Sequence, residues 1–415
     1  MKILALNAGS SSLKFALFDM AVEDCRLVKA EFENFKDGHC VLHFRLGGEN
    51  SDEQIRSEPL ASIEEAIQCV PTLLQEWGYS QIDAIGHRVI HGGERFTKAT
   101  LIDSEVLQYI QSCTPLAPLH NPANLAGITT SKKIWPSAPQ IAVFDTAFHH
   151  SLPVAAYTYA IPSAWRKAGA RRYGFHGISH QYVAMRTAQA WQSPIENLRI
   201  ISCHLGNGSS LCAIENGTSV DTSMGMSPLT GLAMGTRSGD FDPGLFSYLS
   251  RQCGLDINTI EQQLYTDSGL KALGGSPDLR NLEQWAAQGN LDAQLAIEVY
   301  AYSARKYLGA FAAVLGGIDA VVFTGGIGEN SATMRQRICD RLQVIGLEID
   351  DARNRKVRLR AFEAPEIASS QSRVRIFVTK TCEQLMIAKE VLTAIEGSSA
   401  LPHAVCQTRQ GNLYE

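Results

Sequence analysis

Several features that define common classes of protein are missing from this sequence. None of its ten cysteines forms a C-x-x-C pair, which argues against a zinc ribbon or a thioredoxin-type site and suits a reducing compartment. No apolar run reaches the roughly 18–20 residues that a membrane helix needs. No basic segment followed by a long apolar one begins the chain. The sequence therefore predicts a cytoplasmic protein without a membrane partner.

An excess of positive charge is missing as well. The net charge is −5, so neither nucleic acid nor an anionic membrane is expected as the main partner. Hydrophobic residues make up 45% and charged residues 19%, as in globular proteins, and a length of 415 residues predicts two domains. No low-complexity linker separates them. We place the boundary between Asp145 and Pro153, where the pattern of strands starts again.

Strands alternate with helices along both halves of the chain. Apolar segments at 2–7 and 13–19 flank a serine-rich turn, and helical periodicity follows at 61–78, where Pro71 should kink or break the helix. In the second half, two strands around a glycine-rich turn precede a long helix at 291–315. This alternation predicts an α/β fold.

Turns rich in glycine and serine are the first candidate sites. The segment LNAGSSSLKF (6–15) brings backbone N–H groups and hydroxyls to a hairpin tip, where they can bind phosphate oxygens, and Lys14 adds charge. It is not a P-loop, and taken alone it is more simply interpreted as a polar hairpin tip. The segment GNGSSL (206–211) repeats the pattern, which favours a duplicated architecture. FTGGIGEN (323–330) predicts a third glycine turn, between a strand and a helix.

Charged side chains in unusual places are the second group of candidates. Arg88 lies in an apolar strand, and a structural ion pair and an anion site explain it equally well. Arg237 lies in a loop of small residues, where an arginine is usually only solvated, but beside a phosphate-binding turn it could stabilise a transferring phosphoryl group. His176 and His180 are four residues apart, but the glutamate of H-E-x-x-H is missing, so donation to phosphate is favoured over zinc binding. Asp145, at a strand end, and Glu383, just after another strand, are each weak evidence alone, but converging with Asn7 they would suit Mg²⁺.

Taken together, these segments resemble the acetate kinase family, within the superfamily of sugar kinases, actin and heat-shock ATPases. Nine segments match in order: LNAGSSSLKF, GHRVIHGGE, PLHNPANL, FDTAFH, YGFHGISH, HLGNGSSL, MSPLTGLAMGTRSGDFDPG, FTGGIGENS and CEQLMIAKE. The resemblance implies two duplicated α/β domains of the actin-like, ribonuclease H-like ATPase fold, with an active-site cleft between them. It implies an N-terminal domain at 1–148 with a returning segment at about 384–400, a nucleotide-binding domain at 149–383, and a loosely held tail at 401–415.

The resemblance also implies an activity and a set of site residues. The activity is reversible, Mg²⁺-dependent, in-line transfer of the γ-phosphate of ATP to acetate, giving acetyl phosphate and ADP, by a homodimer. The implied catalytic residues are Asp145, His176 and Arg237, and the implied magnesium ligands are Asn7 and Glu383. Substrate binding would use Arg88, Lys14 and His120, with an acyl pocket of Ile90, Leu119, Phe175 and Pro228. The nucleotide would contact His204, Leu205, Gly206, Asn207, Gly208, Asp278, Leu279, Arg280, Gly326, Ile327, Gly328, Glu329 and Asn330.

Three alternative functions stay open. A propionate or butyrate kinase would share the fold, although the β-branched Ile90 leaves little space in the acyl pocket and favours acetate. An ATPase switch of the actin or chaperone type would hydrolyse ATP slowly without any acid, and a zinc hydrolase would use the histidines. The sequence departs from the family pattern at Cys382 and Gln384, on either side of Glu383, which predicts less negative charge near the metal.

Overall fold

The structure is a computed structural model, and it describes residues 1–9, 11–48, 51–118, 120–360 and 362–397 of the chain. Leu119, residues 398–400 of the expected returning segment and the tail expected at 401–415 lie outside the described residues. The chain divides into two compact units. Unit 1 comprises Met1–Ala147 and the segment from Cys382 onward, and unit 2 comprises Phe148–Thr381. Within the described ranges, no helix is long and apolar enough to cross a membrane.

Unit 1 is built on an eight-stranded sheet. Its strands are β1 (Lys2–Ala8), β2 (Leu13–Asp19), β3 (Arg26–Lys36), β4 (His39–Leu46), β5 (Gln54–Glu58), β6 (Ala84–Val89), β7 (Thr100–Leu101) and β8 (Gln140–Phe144). The first five strands form an antiparallel meander. On the other side of β1, the strands β6 and β8 continue the sheet in parallel, and β7 closes that edge in antiparallel orientation. The predicted hairpin around the serines is therefore β1–β2, whereas β3 and β5 were not predicted.

Three helices of unit 1 precede its boundary: α1 (Ile63–Glu76), α2 (Ser104–Ser112) and α3 (Asn121–Ile134). Helix α1 continues through Pro71, so of the predicted kink or break, the break does not occur. The residues on both sides of the proline, such as Ile67, Val70 and Leu74, are buried in an apolar cluster with the sheet. Burial of this apolar face outweighs the backbone hydrogen bond that proline cannot make.

Unit 2 is built on a five-stranded sheet. Its strands are β9 (Arg199–Leu205), β10 (Ser209–Glu215), β11 (Thr218–Thr222), β12 (Ala320–Thr324) and β13 (Arg375–Val378). The first three strands are antiparallel neighbours, and β12 and β13 follow β9 in parallel. The order β11-β10-β9-β12-β13 repeats the order β3-β2-β1-β6-β8 of unit 1, with the same strand directions. The duplicated α/β fold predicted from the sequence is present.

The helices of unit 2 lie mostly in the connections of this sheet. They are α4 (Val154–Tyr157), α5 (Ser163–Lys167), α6 (Gly177–Trp191), α7 (Gly244–Cys253), α8 (Ile257–Thr266), α9 (Gly269–Gly274), α10 (Leu279–Ala287), α11 (Leu291–Val314), α12 (Gly325–Asn330), α13 (Ala332–Cys339) and α14 (Asp351–Lys356). Helix α11 packs on the sheet through fully buried residues such as Tyr300 and Leu308. The glycine segment expected to be a turn is itself the short helix α12, so that part of the prediction is wrong.

The last helix, α15 (Glu383–Glu396), belongs to unit 1. It packs directly on β6, where a Cβ added at Gly86 would lie 2.6 Å from side-chain atoms of both Ile387 and Val391. A residue with a side chain at position 86 would push the helix away. Glycine therefore allows the close packing that fixes the first turn of α15, which carries Glu383.

Candidate active site

Arg88 and Asp145 form the centre of the site residues in unit 1. Because β1, β6 and β8 are parallel neighbours, Asn7, Arg88 and Asp145 lie at the same edge of the sheet. The Arg88 guanidinium donates from Nε to Asp145 Oδ1 at 3.1 Å, pairs through Nη2 with Asp145 Oδ2, and donates from Nη1 to Asn7 Oδ1 at 3.3 Å. Of the two explanations left open for Arg88, the structure therefore contains the ion pair, in bidentate form.

Because both side chains are largely buried, the charges of Arg88 and Asp145 interact strongly. The side chain of Asp145 is 2% exposed and that of Arg88 is 18% exposed. Burial disfavours the charge on Arg88, but the negative charges of Asp145 and Glu383 outweigh that effect and raise the pKa of the guanidinium above its ordinary value. Arg88 is thus a permanent cation with a fixed orientation. Three of its five N–H groups are used by Asp145 and Asn7, which leaves two for an anionic ligand.

The donor atoms predicted for magnesium are both in unit 1. Asn7 supplies an amide oxygen, and Glu383 supplies a carboxylate whose charge is felt at Arg88. Oxygen donors of this kind suit Mg²⁺, which takes one or two protein ligands and completes its shell with water and phosphate oxygens. Within the described residues, no three His, Cys, Asp or Glu side chains cluster as a protein-only metal site. The residues present therefore fit a metal shared with a phosphorylated substrate.

Lys14 is engaged within the same sheet. Lys14 pairs with Asn7 across β1–β2 and with Glu31 across β2–β3, so the three side chains lie on the same face of the sheet. The Lys14 ammonium lies 3.1 Å from the Glu31 carboxylate, and both side chains are partly exposed. An exposed pair of this kind is weak, so Lys14 can exchange Glu31 for another anion at little cost.

The backbone beside Ile90 is held by two buried asparagines that the sequence analysis did not single out. Asn124 accepts a hydrogen bond from Ile90 N at 3.1 Å and donates to Ala8 O at 2.8 Å. Asn121 accepts from His91 N at 3.2 Å and donates back to His91 O at 3.2 Å. Both lie in the first turn of α3, within the segment PLHNPANL. Their role depends on which backbone groups the fold brings to them, and that is not visible in the motif.

The other predicted substrate residues lie in both units. His120 is the N-cap residue of α3 in unit 1, and Ile90 is 7% exposed just after β6. In unit 2, Phe175 is buried, and its carbonyl oxygen lies 3.0 Å from His149 Nε2. Pro228, also in unit 2, accepts a hydrogen bond from Arg237 through its carbonyl oxygen.

Unit 2 brings most of the predicted nucleotide segments together around the β9–β10 hairpin tip. A Cβ at Gly325, whose φ is +77°, would lie 2.6 Å from Leu205 O, so the first turn of α12 packs directly on the end of β9. A Cβ at Gly235 would lie 2.0 Å from Asn207 Oδ1 and 3.3 Å from Pro277 O, the residue before Asp278. The tip, the helix α12 and the segment at 277–278 are therefore in close contact.

The segment Asp278, Leu279 and Arg280, which is predicted to contact the nucleotide, begins α10. Asp278 caps this helix by accepting from Arg280 N at 2.9 Å, and its carboxylate pairs with the exposed Arg280 guanidinium at 2.6 Å. Hydrogen bonds from Arg280 are the main cause of the lowered pKa of Asp278. The two charged side chains therefore neutralise each other on the surface, and Leu279 is buried in the core of unit 2.

His176 and Arg237 face the same glycine. A Cβ at Gly208 would lie 3.4 Å from His176 Nε2 and 3.5 Å from Arg237 Nη1. His176 has a left-handed backbone conformation, with φ 58° and ψ 23°, just before α6. Non-glycine residues adopt this conformation at an energetic cost and are enriched at functional sites. The hairpin tip is thus lined by one imidazole and one guanidinium.

Arg237 is a largely buried cation that has no counter-ion in the part of the chain that the structure describes. Its Nη1 donates to Pro228 O at 3.1 Å, and no described carboxylate forms an ion pair with it. Burial lowers the pKa of its guanidinium below the ordinary value. Because an uncompensated buried charge is costly, this position is prepared for an anionic ligand.

A chain of polar contacts, not predicted from the sequence, links α12 to the histidines. Glu329 Oε1 accepts from Gly325 N and from Thr381 N, each at 3.1 Å. The Thr381 hydroxyl lies 3.0 Å from Ser179 Oγ, which lies 2.7 Å from His204 Nδ1. Burial raises the pKa of Glu329. Glu329, assigned to nucleotide contact, therefore has a structural role in the placement of α12.

Arg335 holds the other end of α12 and was also missed. It is 1% exposed and donates from Nη1 to Gly328 O at 2.8 Å and to Glu329 O at 3.0 Å. Its Nε donates to Asn354 Oδ1 at 2.7 Å. In the sequence Arg335 resembles any surface arginine of a helix, so only the tertiary structure reveals this contact.

This chain is similar to known proteins over nearly its whole length. The model of the acetokinase family matches residues 2–389. An acetate kinase of Halothermothrix orenii is 46% identical over 406 residues, which cover 95% of this chain and 100% of the relative. A crystal structure of Porphyromonas gingivalis acetate kinase is 39% identical with a TM-score of 0.86, covering 95% of this chain and 99% of that one. A structure of a propionate kinase from Francisella tularensis is 40% identical with a TM-score of 0.87, covering 94% and 98%. These similarities confirm the predicted resemblance and fold, and the chain belongs to the acetokinase family.

Proposed function

We propose that this protein transfers the γ-phosphoryl group of ATP to acetate in the presence of Mg²⁺, giving acetyl phosphate and ADP. The enzyme class, a phosphotransferase acting on a carboxylate, follows from the family. The structural observation that best supports the proposal is the environment of Arg237. This side chain is a largely buried cation beside the glycine hairpin tip and has no carboxylate partner among the described residues. A phosphoryl group would supply the missing negative charge.

Arg88 is the proposed ligand of the acetate carboxylate. Its two remaining N–H groups can bind a second carboxylate while Asp145 keeps the guanidinium in place. Acetate is already an anionic nucleophile at neutral pH, so the reaction needs no strong base. What it needs is that two anions are positioned and their charge is neutralised, which are the main contributions to catalysis of phosphoryl transfer.

Asn7 and Glu383 are the proposed protein ligands of Mg²⁺. Their oxygen atoms suit this ion, and both lie beside Arg88 in unit 1. When bound, Mg²⁺ would neutralise charge on the phosphate oxygens. Asp145 then keeps Arg88 oriented and balances its charge, a role that needs no proton transfer.

In unit 2, His176 and Arg237 are proposed to stabilise the phosphoryl group during transfer. Both face Gly208, and a guanidinium and an imidazole there would donate to phosphoryl oxygens. We propose that the adjoining segments at 204–208, 278–280 and 326–330 hold the nucleotide. Unit 1 would therefore bind the acid and the metal, and unit 2 the nucleotide.

Acetate is the proposed preferred acid, because Ile90 is buried and its β-branched side chain limits the acyl space. We further propose that the enzyme acts as a cytoplasmic homodimer. Light scattering on the purified protein should give twice the mass of one chain, and the mass of a single chain would contradict the dimer.

The test is formation of acyl phosphate, trapped with hydroxylamine, from ATP and acetate, propionate or butyrate. We expect the highest kcat/KM with acetate, and chelation of divalent ions should abolish the reaction. No acyl phosphate from any acid would overturn the proposal. Acid-independent ATP hydrolysis in its place would favour the ATPase switch, and stoichiometric zinc in the purified protein would favour the hydrolase.

A further inference from the structure

His176, which is partly exposed, ends a chain of side chains that alternates serine and histidine. Ser210 Oγ lies 2.8 Å from His176 Nδ1 and 2.8 Å from His180 Nε2. On the other side of its ring, His180 Nδ1 lies 2.9 Å from Ser202 Oγ. Ser202, Ser210 and His180 are all 0% exposed. The order of contacts is therefore Ser202, His180, Ser210, His176, and solvent does not interrupt it.

When both histidines are neutral, two arrangements make both Ser210 contacts hydrogen bonds and also give the Ser210 proton an acceptor. The Ser210 hydroxyl has one proton and lies between two ring nitrogens, so it donates to one nitrogen and accepts from the other. In the first arrangement it donates to His176 Nδ1 and accepts from His180 Nε2–H. In the second it donates to His180 Nε2 and accepts from His176 Nδ1–H. The first leaves the His176 proton on Nε2, and the second leaves Nε2 as a lone pair.

Ser202 distinguishes the two arrangements. In the first, the Ser202 hydroxyl donates to His180 Nδ1, so every proton of the fully buried Ser202, His180 and Ser210 has an acceptor. In the second, His180 Nδ1–H donates to Ser202, and the Ser202 proton needs another acceptor. Among the described residues, the Ser202 hydroxyl has a hydrogen bond to His180 and to no other group. An unpaired hydroxyl proton at a fully buried site is costly, so the first arrangement is favoured.

The surroundings favour neutral rings. Burial, together with the neighbouring His149 and His204, lowers the pKa of His180 well below its ordinary value. Next to His176, the uncompensated guanidinium of Arg237 disfavours a second cation, since both side chains face Gly208. The Nε2 atom of His176, which faces Gly208, therefore carries a proton in a neutral ring.

We propose that Ser202, His180 and Ser210 are positioning residues that hold His176 in its neutral Nε2–H tautomer, ready to donate to a phosphoryl oxygen. This inference rests on the proposed function for the identity of the acceptor. The tautomer itself does not depend on it. A proton on Nε2 suits a phosphoryl group, whose oxygens only accept hydrogen bonds at neutral pH, whereas a lone pair there would repel them.

The first test is ¹⁵N NMR of the full-length protein with labelled histidine, at pH 7.5 and without substrates. Signals are assigned by their loss in His176→Gln and His180→Gln. We expect protonated Nε2 and unprotonated Nδ1 for both rings. A proton on Nδ1 of His176, or on both of its nitrogens, would overturn the proposal. This measurement needs no activity, so it stands even if the protein makes no acetyl phosphate.

The second test uses three serine variants. Ser210→Ala should lower kcat at saturating ATP and acetate by about 10- to 100-fold, as loss of an orienting partner typically does, with KM for either substrate changed less than about twofold. Ser210→Thr keeps the hydroxyl and should restore most of the rate. The matched control is Ser219→Ala, because Ser219 is also 0% exposed and its hydroxyl lies 2.8 Å from another buried imidazole, at His149 Nδ1.

These variants separate positioning from general destabilisation. Equal loss of kcat in Ser219→Ala and Ser210→Ala, or an unchanged kcat in Ser210→Ala, would overturn the proposal. If Ser210→Ala does not fold, the wild-type NMR spectrum still decides the tautomer, and Ser202→Ala removes the first proton of the chain. In that variant, an unchanged ¹⁵N spectrum for His176 would show that the chain does not control its tautomer.

Discussion

Replacing Ile90 by alanine tests the predicted acyl pocket most directly. Ile90 follows β6, is 7% exposed, and donates its backbone N–H to Asn124 Oδ1 at 3.1 Å. Asn124 in turn donates to Ala8 O at 2.8 Å, so the backbone at position 90 is tied to the end of β1. Because this tie prevents the backbone from moving inward, truncation of the side chain should leave open space instead of a collapsed pocket.

The expected change is one of substrate preference. One methylene in an apolar pocket changes the discrimination between two substrates by roughly 1–3 kcal/mol, or about 10- to 200-fold. Ile90→Ala removes three carbon atoms, which is more room than the extra methylene of propionate requires. The ratio of kcat/KM for propionate to that for acetate should therefore rise at least about 10-fold. Stability should fall by about 2–5 kcal/mol, as for other buried isoleucines truncated to alanine.

The assay is acyl phosphate formation with each acid, measured as kcat/KM at saturating ATP. Val89→Ala is the matched control, because Val89 is 0% exposed and its side chain belongs to an apolar cluster with Phe144 and Phe96. Val89 is the last residue of β6, whereas Ile90 lies outside that strand. The control should lose stability and keep the wild-type ratio. An unchanged ratio in Ile90→Ala would refute the placement of the acyl group at this residue.

Three further results are expected. Arg237→Ala should lower kcat by about 1,000-fold or more in the same assay, since an arginine that stabilises a transferring phosphoryl group contributes that much; a loss below about 10-fold would contradict this role. Gly235→Ala should raise the KM for ATP roughly 10- to 100-fold, because the new Cβ would lie 2.0 Å from Asn207 Oδ1 and displace the hairpin tip. An unchanged KM would show that ATP does not contact this tip. Burial lowers the pKa of His87 and of His149 to about 4, below the ordinary 6.5. The unfolded state therefore binds more protons below pH 6.5, and stability should fall by about 2 kcal/mol per histidine by pH 5. Equal urea midpoints at pH 7.5 and 5.0 would refute this.

Each of these results has its own control. Arg237→Lys keeps the charge and loses the planar fork, so it should retain more activity than alanine and less than wild type. Gly309→Ala introduces a Cβ with no atom within 4 Å beyond its chain neighbours and the nearby backbone of its own helix, and should leave the KM for ATP unchanged. His149→Gln removes one titrating ring, so the difference between the two urea midpoints should become smaller.

The segments that contain the predicted site residues could be recognised in the sequence because the patterns that mark them are local. Glycine and serine between two apolar strands predict the hairpins of both units, and alternation of strands and helices predicts the α/β fold. The order of the nine motifs along the chain was sufficient to identify the family. The local signal failed in α12, where glycines expected to form a turn are helical. At Pro71 it left a kink or a break open, and packing of α1 decided against the break.

The sequence by itself determined which residues carry charges and donor atoms, and in which helix, strand or turn each of them lies. The tertiary structure alone decided their partners. Arg88 and Asp145 are 57 residues apart, and Ser210 lies 34 residues from His176 and 30 from His180. These contacts depend on which strands become neighbours and in which register, since a shift of one residue turns every side chain to the opposite face of the sheet. Strand order and register are long-range properties of the fold, and no local pattern encodes them.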